Sequence, residues 1–503
     1  MTKRTAIEAI VLMFAYFTLA ASSLAQMTVV EESTDQGTRT IYKMTITPAV
    51  EPLPAFKYRF TVPPHKTING NAITNYLRAF GEGGFDGWKT AGQEVGWEEF
   101  EKYFSLEPGN NQVDLEKLKR FSGMFDVFVD HHLRRATLCR DSDWGLGEED
   151  LRGAEVIEIR LPGLQQMRTV SRMLALRTRL AIRENRFDDA VDHIRMNFKL
   201  GKNITETKFL VTQLVALAVC RITEDSVIEL IATPGSPNLY WALAELPRPY
   251  ISVRESQHVE SSIPIRLFPI LEQVLEDPDK KRDWQAELQQ LALSWDQMYY
   301  FMHSYNGEPP KPDARNFAGL TTNESSQAIP VIVSLMQYTK AKKRLKRYDY
   351  SVQEIEAMPV AKVILLDTAF EVQRVSHELH KLICLGSYDR AGKSFYVEDD
   401  EALTFNAGAV ITQMYASNTT SVKAAEIRLT WQLNALQNIE AIRMHAAEHG
   451  SLPKTLKDIK LHLPNNPFTK KPYEYRLRGK TAVLEMPFGE AWGAQRFELT
   501  LPK

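Results

Sequence analysis

Cysteine is scarce in this sequence: among 503 residues there are three, Cys139, Cys220 and Cys384. Three is an odd number, and a chain of this length needs no disulfide framework to stabilise its core. Cys220 ends the stretch VTQLVALAVC, which has the pattern of an apolar helix face. We therefore expect Cys220 to be a buried thiol that packs as a small hydrophobic side chain.

Several motifs that identify enzymes are also missing. The sequence contains no Gly-rich phosphate loop, no Gly-x-Ser-x-Gly motif and no Cys-x-x-Cys pair. Neither charge dominates, since 61 Lys and Arg residues face 63 Asp and Glu residues and the formal net charge is −2. Dedicated nucleic-acid-binding proteins carry a basic excess, so we predict no nucleic-acid partner.

The first 25 residues have the layout of a secretory signal. Lys3 and Arg4 precede an apolar run over residues 9–21, and Ser23 and Ala25 supply small residues at −3 and −1, so cleavage is expected after Ala25. The alternative is an uncleaved membrane anchor, for which the apolar run is short. No later run is apolar enough to cross a bilayer. We predict an exported protein, periplasmic or extracellular, without a transmembrane span after signal cleavage.

Apolar residues at three- and four-residue spacing predict a mostly α-helical fold of stacked, non-repeating, solenoid-like helical hairpins. TRTIYKMTITPA and PAFKYRFTVPP predict a short N-terminal β segment, and YEYRLRGKTAVLEM predicts a small C-terminal β-hairpin. The predicted regions are a signal peptide at 1–25, an N-terminal strand segment at 26–66, a helical-hairpin domain at 67–305, a linker or long loop at 306–330, a second helical region at 331–450 and a small β-hairpin unit at 451–503.

The most regular stretch is LALRTRLAIRENRFDDAV. Leu174, Leu176 and Leu180 build a first helix, the turn falls at residues 184–186, and Asp188 begins a second helix, where an acidic residue suits the helix dipole. RENRFDDAV resembles the helix-turn-helix of a tetratricopeptide repeat. No second copy occurs at the expected period, so a tandem array is not predicted.

Further segments resemble known groups of proteins. NGNAITNYLRAF, CRDSDWG and PNLYWALAELPRP are similar to segments of uncharacterised exported helical proteins of planctomycete-type bacteria, and this resemblance extends to about Pro249. AAEHGSLPKTLKDI and NPFTKKPYEYRL resemble a C-terminal pseudopilin-like module, in which an Asn/Asp-Pro-Phe-Thr turn leads into a small hairpin. Here Asn466 replaces the commoner Asp, and Lys471 stands where Gly is frequent. Neither resemblance implies a reaction or a ligand.

RMHAAEHGSLP contains His445, Glu448 and His449 in the order His-x-x-Glu-His, the inverted signature of zinc peptidases. Two histidines four residues apart lie on the same helix face, and Glu448 could act as a general base. However, Gly450 follows directly, which is typical of a helix C-terminus, and little chain remains to supply a third ligand. We interpret the motif as a helix end.

A second candidate metal site is RVSHELHKLICLG. His377, His380 and Cys384 occur at i, i+3 and i+7, so they share one helix face, opposite an apolar stripe. They could bind zinc or copper if another element supplied a fourth ligand. The alternative is two solvated histidines and a cysteine near a helix end.

The stretch CRDSDWG supplies the candidate binding surface, formed by Asp141, Asp143 and Trp144. Exposed polar loops that carry an aromatic residue often bind ligands, although a loop stabilised by Asx turns is the alternative.

Two functions follow as hypotheses. The first is an exported cell-envelope scaffold or interaction protein without catalytic activity or cofactor, which binds another envelope protein or polymer. The alternative is an extracytoplasmic metal-dependent hydrolase, with zinc as the possible metal. Its site would be His377, His380 and Cys384 or, as the second choice, His445, Glu448 and His449.

Overall fold

The computed structural model describes residues 26–502 apart from 35–36, 81–101, 104–107, 110–112, 125, 127, 149, 154, 159–162, 304–337, 385–406 and 487–493. The predicted signal peptide at 1–25 and the predicted loop at 306–330 therefore lie outside the described residues. The rest is mostly helical with a smaller β component, which confirms the predicted fold class.

The N-terminal part begins with two strands and leads into helices. In order, the elements are β1 (Met27–Thr34), β2 (Gly37–Thr45), β3 (Ile68–Asn71), α1 (Ala72–Phe80), α2 (Leu115–Gly123), a π-helical turn at Phe128–Leu133 that continues into α3 (Arg134–Leu138), β4 (Cys139–Asp141) and α4 (Glu155–Glu158). Strands β3 and β4 pair in parallel as a small two-stranded sheet.

The predicted helical hairpin is present as α5 (Leu164–Arg183) and α6 (Phe187–Ile204), and α7 (Leu210–Ile231) packs against both. Asn185 makes the turn at a positive φ of 57°. Helix α7 is buried on most of its sides, which explains why its sequence is apolar nearly all round. Gly201 of α6 lies so close to α7 that a Cβ there would be 2.8 Å from the Cys220 sulfur. Cys220 is fully buried, as predicted.

A second core cluster is formed by the helices that follow α8 (Tyr240–Ala244). These are α9 (Arg254–Leu267), α10 (Pro269–Glu276), α11 (Trp284–His303), α12 (338–345), α13 (Val352–Ala357) and α14 (Val360–Cys384). Pro269 begins α10 because proline has no N–H with which to continue α9. Helix α14 packs against α9, α10 and α11, and the buried ion pair between Arg344 and Asp367, at 2.6 Å, ties α12 to α14.

The longest helix, α15 (Ala407–His449), packs against α7, α8, α9 and α14 and so contacts helices of both core clusters. Its described C-terminal half buries many polar side chains, namely Glu426, Gln432, Asn434, Gln437, Asn438, Glu440 and Arg443. Buried polar groups need partners, so these side chains, which lie all round α15, belong to a structural network rather than to a solvated surface.

Strands from the two ends of the chain form one five-stranded sheet. The predicted hairpin is β5 (Glu474–Arg478) and β6 (Thr481–Glu485), which turn at Gly479, and β7 (Ala494–Thr500) follows. The strand order is β1-β2-β7-β6-β5, with β2 and β7 parallel and the other neighbours antiparallel. The N-terminal strand segment and the C-terminal hairpin therefore share a sheet, which no sequence pattern had indicated.

Aromatic packing holds this sheet against α15. Tyr42 of β2 stacks on Phe497 of β7 with ring centroids 5.0 Å apart, and Trp431 of α15 stacks on the same Phe497 at 6.0 Å. The Tyr473 ring lies 5.6 Å from Trp431, and its hydroxyl donates to the Trp431 carbonyl. No described helix is both long and apolar enough to span a membrane.

Candidate functional site

A cleft of about 410 Å³, lined mostly by residues with polar side chains, lies between α15 and two other segments of the chain. We name it the Arg248 cleft. Its lining residues come from three stretches of chain: Arg248 and Pro249; Lys423, Glu426, Ile427, Thr430 and Asn434; and Asn465, Asn466, Pro467 and Lys470. The middle group shares one face of α15, because its members lie at positions i, i+3, i+4, i+7 and i+11.

Arg248 is held rigidly at one wall of the cleft. Its Nε donates to Asn434 Oδ1 at 2.7 Å, Nη1 to the Leu246 carbonyl at 2.7 Å and Nη2 to the Leu243 carbonyl at 3.0 Å. Burial lowers the pKa of Arg248 to about 10, so the guanidinium still carries its charge at neutral pH. Arg248 therefore contributes a positive charge whose position is fixed by hydrogen bonds from all three of its nitrogens.

The opposite wall is the Asn-Pro-Phe-Thr turn noticed in the sequence. Asn466 Oδ1 accepts from the Phe468 N–H at 2.9 Å, and the Asn466 carbonyl accepts from the Lys470 N–H at 2.9 Å. Asn434 Nδ2 donates to the Asn465 carbonyl at 3.0 Å, which fixes the turn to α15. Lys470 itself has a positive φ of 57° at the end of the turn.

The cleft carries more positive than negative charge. Arg248, Lys423 and Lys470 are basic, and Glu426 is the one acidic lining residue among those described. The negative charge of Glu426 is mostly offset, because its carboxylate forms an ion pair with Lys423 and accepts the Val253 N–H at 2.8 Å. An anionic group on a ligand would therefore meet an excess of positive charge.

A buried group of charged residues lies behind Arg248. Glu224 of α7 is 1% exposed, and burial raises its pKa well above the ordinary value, although Arg221, Arg248 and Arg428 oppose this rise. Arg221 also donates to the Tyr42 hydroxyl and to Gln432 Oε1. These contacts join α7, β2 and α15 behind the cleft.

The predicted binding surface at Asp141, Asp143 and Trp144 is a loop with an Asx turn. The Gly145 N–H donates to Asp143 Oδ1 at 2.8 Å. The Trp144 indole donates to the Asn203 carbonyl at 3.1 Å and packs against the main core, while Asp141 is exposed at the end of β4. The indole edge is thus used within the fold.

The two described histidines of the predicted metal site on α14 differ in exposure. His377 is exposed, His380 is half-buried, and the side chain of Cys384 lies outside the described residues. His380 instead meets a residue that sequence reasoning missed, His258 of α9, with the two Nδ1 atoms 3.0 Å apart. Burial, and then the nearby His380, lowers the pKa of His258.

The residues of the His-x-x-Glu-His motif lie at the end of α15, as predicted. The His445 and His449 rings stack 4.2 Å apart, and His449 Nδ1 lies 3.1 Å from the His445 carbonyl, to which an N–H there can donate. Gly450 follows with a positive φ of 67°, and Glu448 is exposed. The most deeply buried residue of the stretch is Arg443, which precedes the motif and is not part of it.

Among the described residues, no group of three or more His, Cys, Asp or Glu side chains is arranged to hold a metal ion. Comparison with protein-family models, with curated proteins and with solved structures gives no match. Arg248 and Lys470 belong to segments that resemble other proteins, but no sequence pattern predicts that the two residues line one cleft.

Proposed function

We propose that this chain is a non-catalytic interaction protein of the cell envelope that binds an acidic segment of a partner protein in the Arg248 cleft. The observation that supports the proposal is the pair of fixed walls, one formed by Arg248 and the other by the Asn466 turn, which give the cleft an excess of positive charge. A site whose side chains are already fixed loses little conformational entropy when a ligand binds.

The lining chemistry favours a peptide over a saccharide. The described lining residues include no aromatic ring on which a sugar could stack, whereas Pro249, Ile427 and Pro467 offer small apolar contacts. The ammonium group of Lys470 attracts carboxylates, and the ion pair with Lys423 keeps Glu426 from repelling them. The exposed Asn465 can both donate to and accept from a peptide backbone, since its side chain is an amide.

The proposal is tested by fluorescence anisotropy with a labelled octaglutamate peptide, with octaglutamine as the uncharged control probe. We expect the octaglutamate to bind more tightly, with an affinity that falls as salt is added. Lys470→Gln should weaken octaglutamate binding about fivefold, the effect of losing about 1 kcal/mol from one exposed ion pair.

Lys454→Gln is the matched control. Lys454 is exposed beyond the far end of α15 and does not line the cleft, so this variant should bind like the wild type. Equal weakening in both variants would mean that the peptide senses only the overall charge, and the proposal would be wrong. Binding of polygalacturonate with no binding of octaglutamate would also contradict it.

A further inference from the structure

Two histidines from different helices meet at the contact between α9 and α14. His258 Nδ1 and His380 Nδ1 are 3.0 Å apart, their ring centroids are 4.1 Å apart and the rings are inclined at 59°. One imidazole must donate its N–H and the other must accept it, so both rings turn a nitrogen towards the same point.

The two helices hold these rings in place. Ile263 and Leu267 of α9 and Val363 and Val372 of α14 belong to one buried cluster, so the helices cannot separate without exposing that core. Both rings are half-buried, which leaves the pair accessible to small solutes from water.

We propose that His258 and His380 form a two-imidazole binding site for a divalent transition-metal ion of the nickel, copper and zinc group. Neutral imidazole is a preferred ligand of these ions, which would take the place of the shared proton. Bonds of about 2.0–2.1 Å in tetrahedral geometry place two ligand nitrogens about 3.3 Å apart. The observed 3.0 Å is within a small ring rotation of that separation, and water completes the coordination.

This site differs from the set that the sequence suggested. His377 precedes His380 by one turn and is exposed, whereas His258 comes from a helix 122 residues earlier in the chain. The charges nearest to His258 oppose each other, since Arg254 repels a cation and Glu255 attracts it. The inference does not rest on the proposed function, because it uses none of the residues that line the Arg248 cleft.

Isothermal titration of the full chain with Zn²⁺ tests the site. His258→Gln and His380→Gln should each lower the Zn²⁺ affinity at least tenfold, because a single remaining imidazole cannot chelate. His377→Gln and Cys384→Ser should bind within twofold of the wild type, as should His449→Gln, which disrupts the other imidazole pair. Mg²⁺, which prefers oxygen ligands, should not compete.

If His258→Gln bound Zn²⁺ with wild-type affinity, the proposal would be wrong. Loss of Zn²⁺ binding in both His377→Gln and Cys384→Ser would also contradict it, and would favour the site on α14 alone that the sequence predicts. Far-UV circular dichroism without metal checks that each variant is folded. A second measurement needs no variant: modification of histidines in the wild type by diethyl pyrocarbonate, mapped by mass spectrometry. Zn²⁺ should protect His258 and His380, and absence of protection at both would also overturn the proposal.

Discussion

Replacement of Arg443 by alanine tests how the fold joins its two ends. The Arg443 side chain is completely buried and its guanidinium donates to five groups. These are Glu440 Oε1 at 2.8 Å, the Thr47 carbonyl at 2.9 Å, the Pro237 carbonyl at 3.3 Å, and the carbonyl and hydroxyl of Ser236, both at 2.9 Å. One side chain of α15 thus fixes both the chain that leaves β2 and the loop that follows α7.

The expected loss follows from what Arg443→Ala leaves behind. The Glu440 carboxyl, also fully buried, would lose its cation, and the carbonyls of Thr47 and Ser236 would lose donors in a site closed to water. Breaking a buried ion pair by removing one partner costs about 3–5 kcal/mol, so we expect the free energy of unfolding to fall by about 4 kcal/mol.

The loss should depend on pH with a definite sign. Burial raises the pKa of Glu440 above its ordinary value and Arg443 opposes that rise, so removing the arginine raises the pKa further. A carboxyl whose pKa is higher in the folded state than in the unfolded state stabilises the fold when it is protonated. Arg443→Ala should therefore be least destabilising in mild acid, and its deficit should grow as the pH rises through the folded-state pKa of Glu440.

Urea titration followed by far-UV circular dichroism, at two pH values, measures both effects. Arg476→Ala is the matched control, because Arg476 pairs with Glu474 at the surface, where the two side chains are 58% and 67% exposed. Such pairs contribute about 1 kcal/mol or less. If Arg443→Ala cost no more than Arg476→Ala, the buried network on α15 would not have the structural role that we assign to it.

Three further variants test packing, burial and capping, each by urea titration. Gly201→Ala should cost about 1–3 kcal/mol, because the added Cβ would be 2.8 Å from the Cys220 sulfur, and adding Cys220→Ala should restore part of that loss. Burial raises the pKa of Glu260 from 4.5 to about 6, so its contribution to stability is present below pH 4.5 and lost as the pH rises to 6. Glu260→Gln should remove about 2 kcal/mol from the change in unfolding free energy between these pH values. If the unfolding free energy of the variant changed with pH as that of the wild type does, Glu260 would not be the group responsible. Ser351→Ala removes the side chain that caps α13 and should cost about 1 kcal/mol, whereas an unchanged midpoint would show that the cap is dispensable.

Features determined by neighbouring residues could be predicted from the sequence. The turn between α5 and α6, the C-terminal hairpin and the end of α15 at His449 all lie where the local pattern placed them. Each depends on signals within a few residues, such as a glycine that can adopt a positive φ or an acidic residue in a first helical turn. Burial of Cys220 followed in the same way from its apolar helix face.

Contacts between distant segments could not be predicted in this way. Parallel pairing of β2 and β7 places Tyr42 opposite Phe497. The sequence of neither strand identifies its neighbour, because the alternation of side chains specifies only which face of a strand is buried. For the same reason the i, i+3, i+7 spacing grouped His377 with His380. The spacing describes one helix, and the imidazole that meets His380 belongs to another.

The Arg248 cleft depends both on local sequence signals and on contacts between distant segments. Each wall has a local origin: Arg248 is held by carbonyls at the end of α8, and Asn466 forms its own Asx turn. The cleft itself exists because Asn434, on the face of α15 between them, accepts from Arg248 and donates to the Asn465 carbonyl. The side-chain amide of Asn434 therefore fixes the spacing of two walls that are more than 200 residues apart in sequence. Because Lys470 extends from the second wall, Asn434 also fixes the distance between the positive charges of Arg248 and Lys470. In the proposed function, Asn434 would be a positioning residue for the acidic ligand, although it carries no charge of its own.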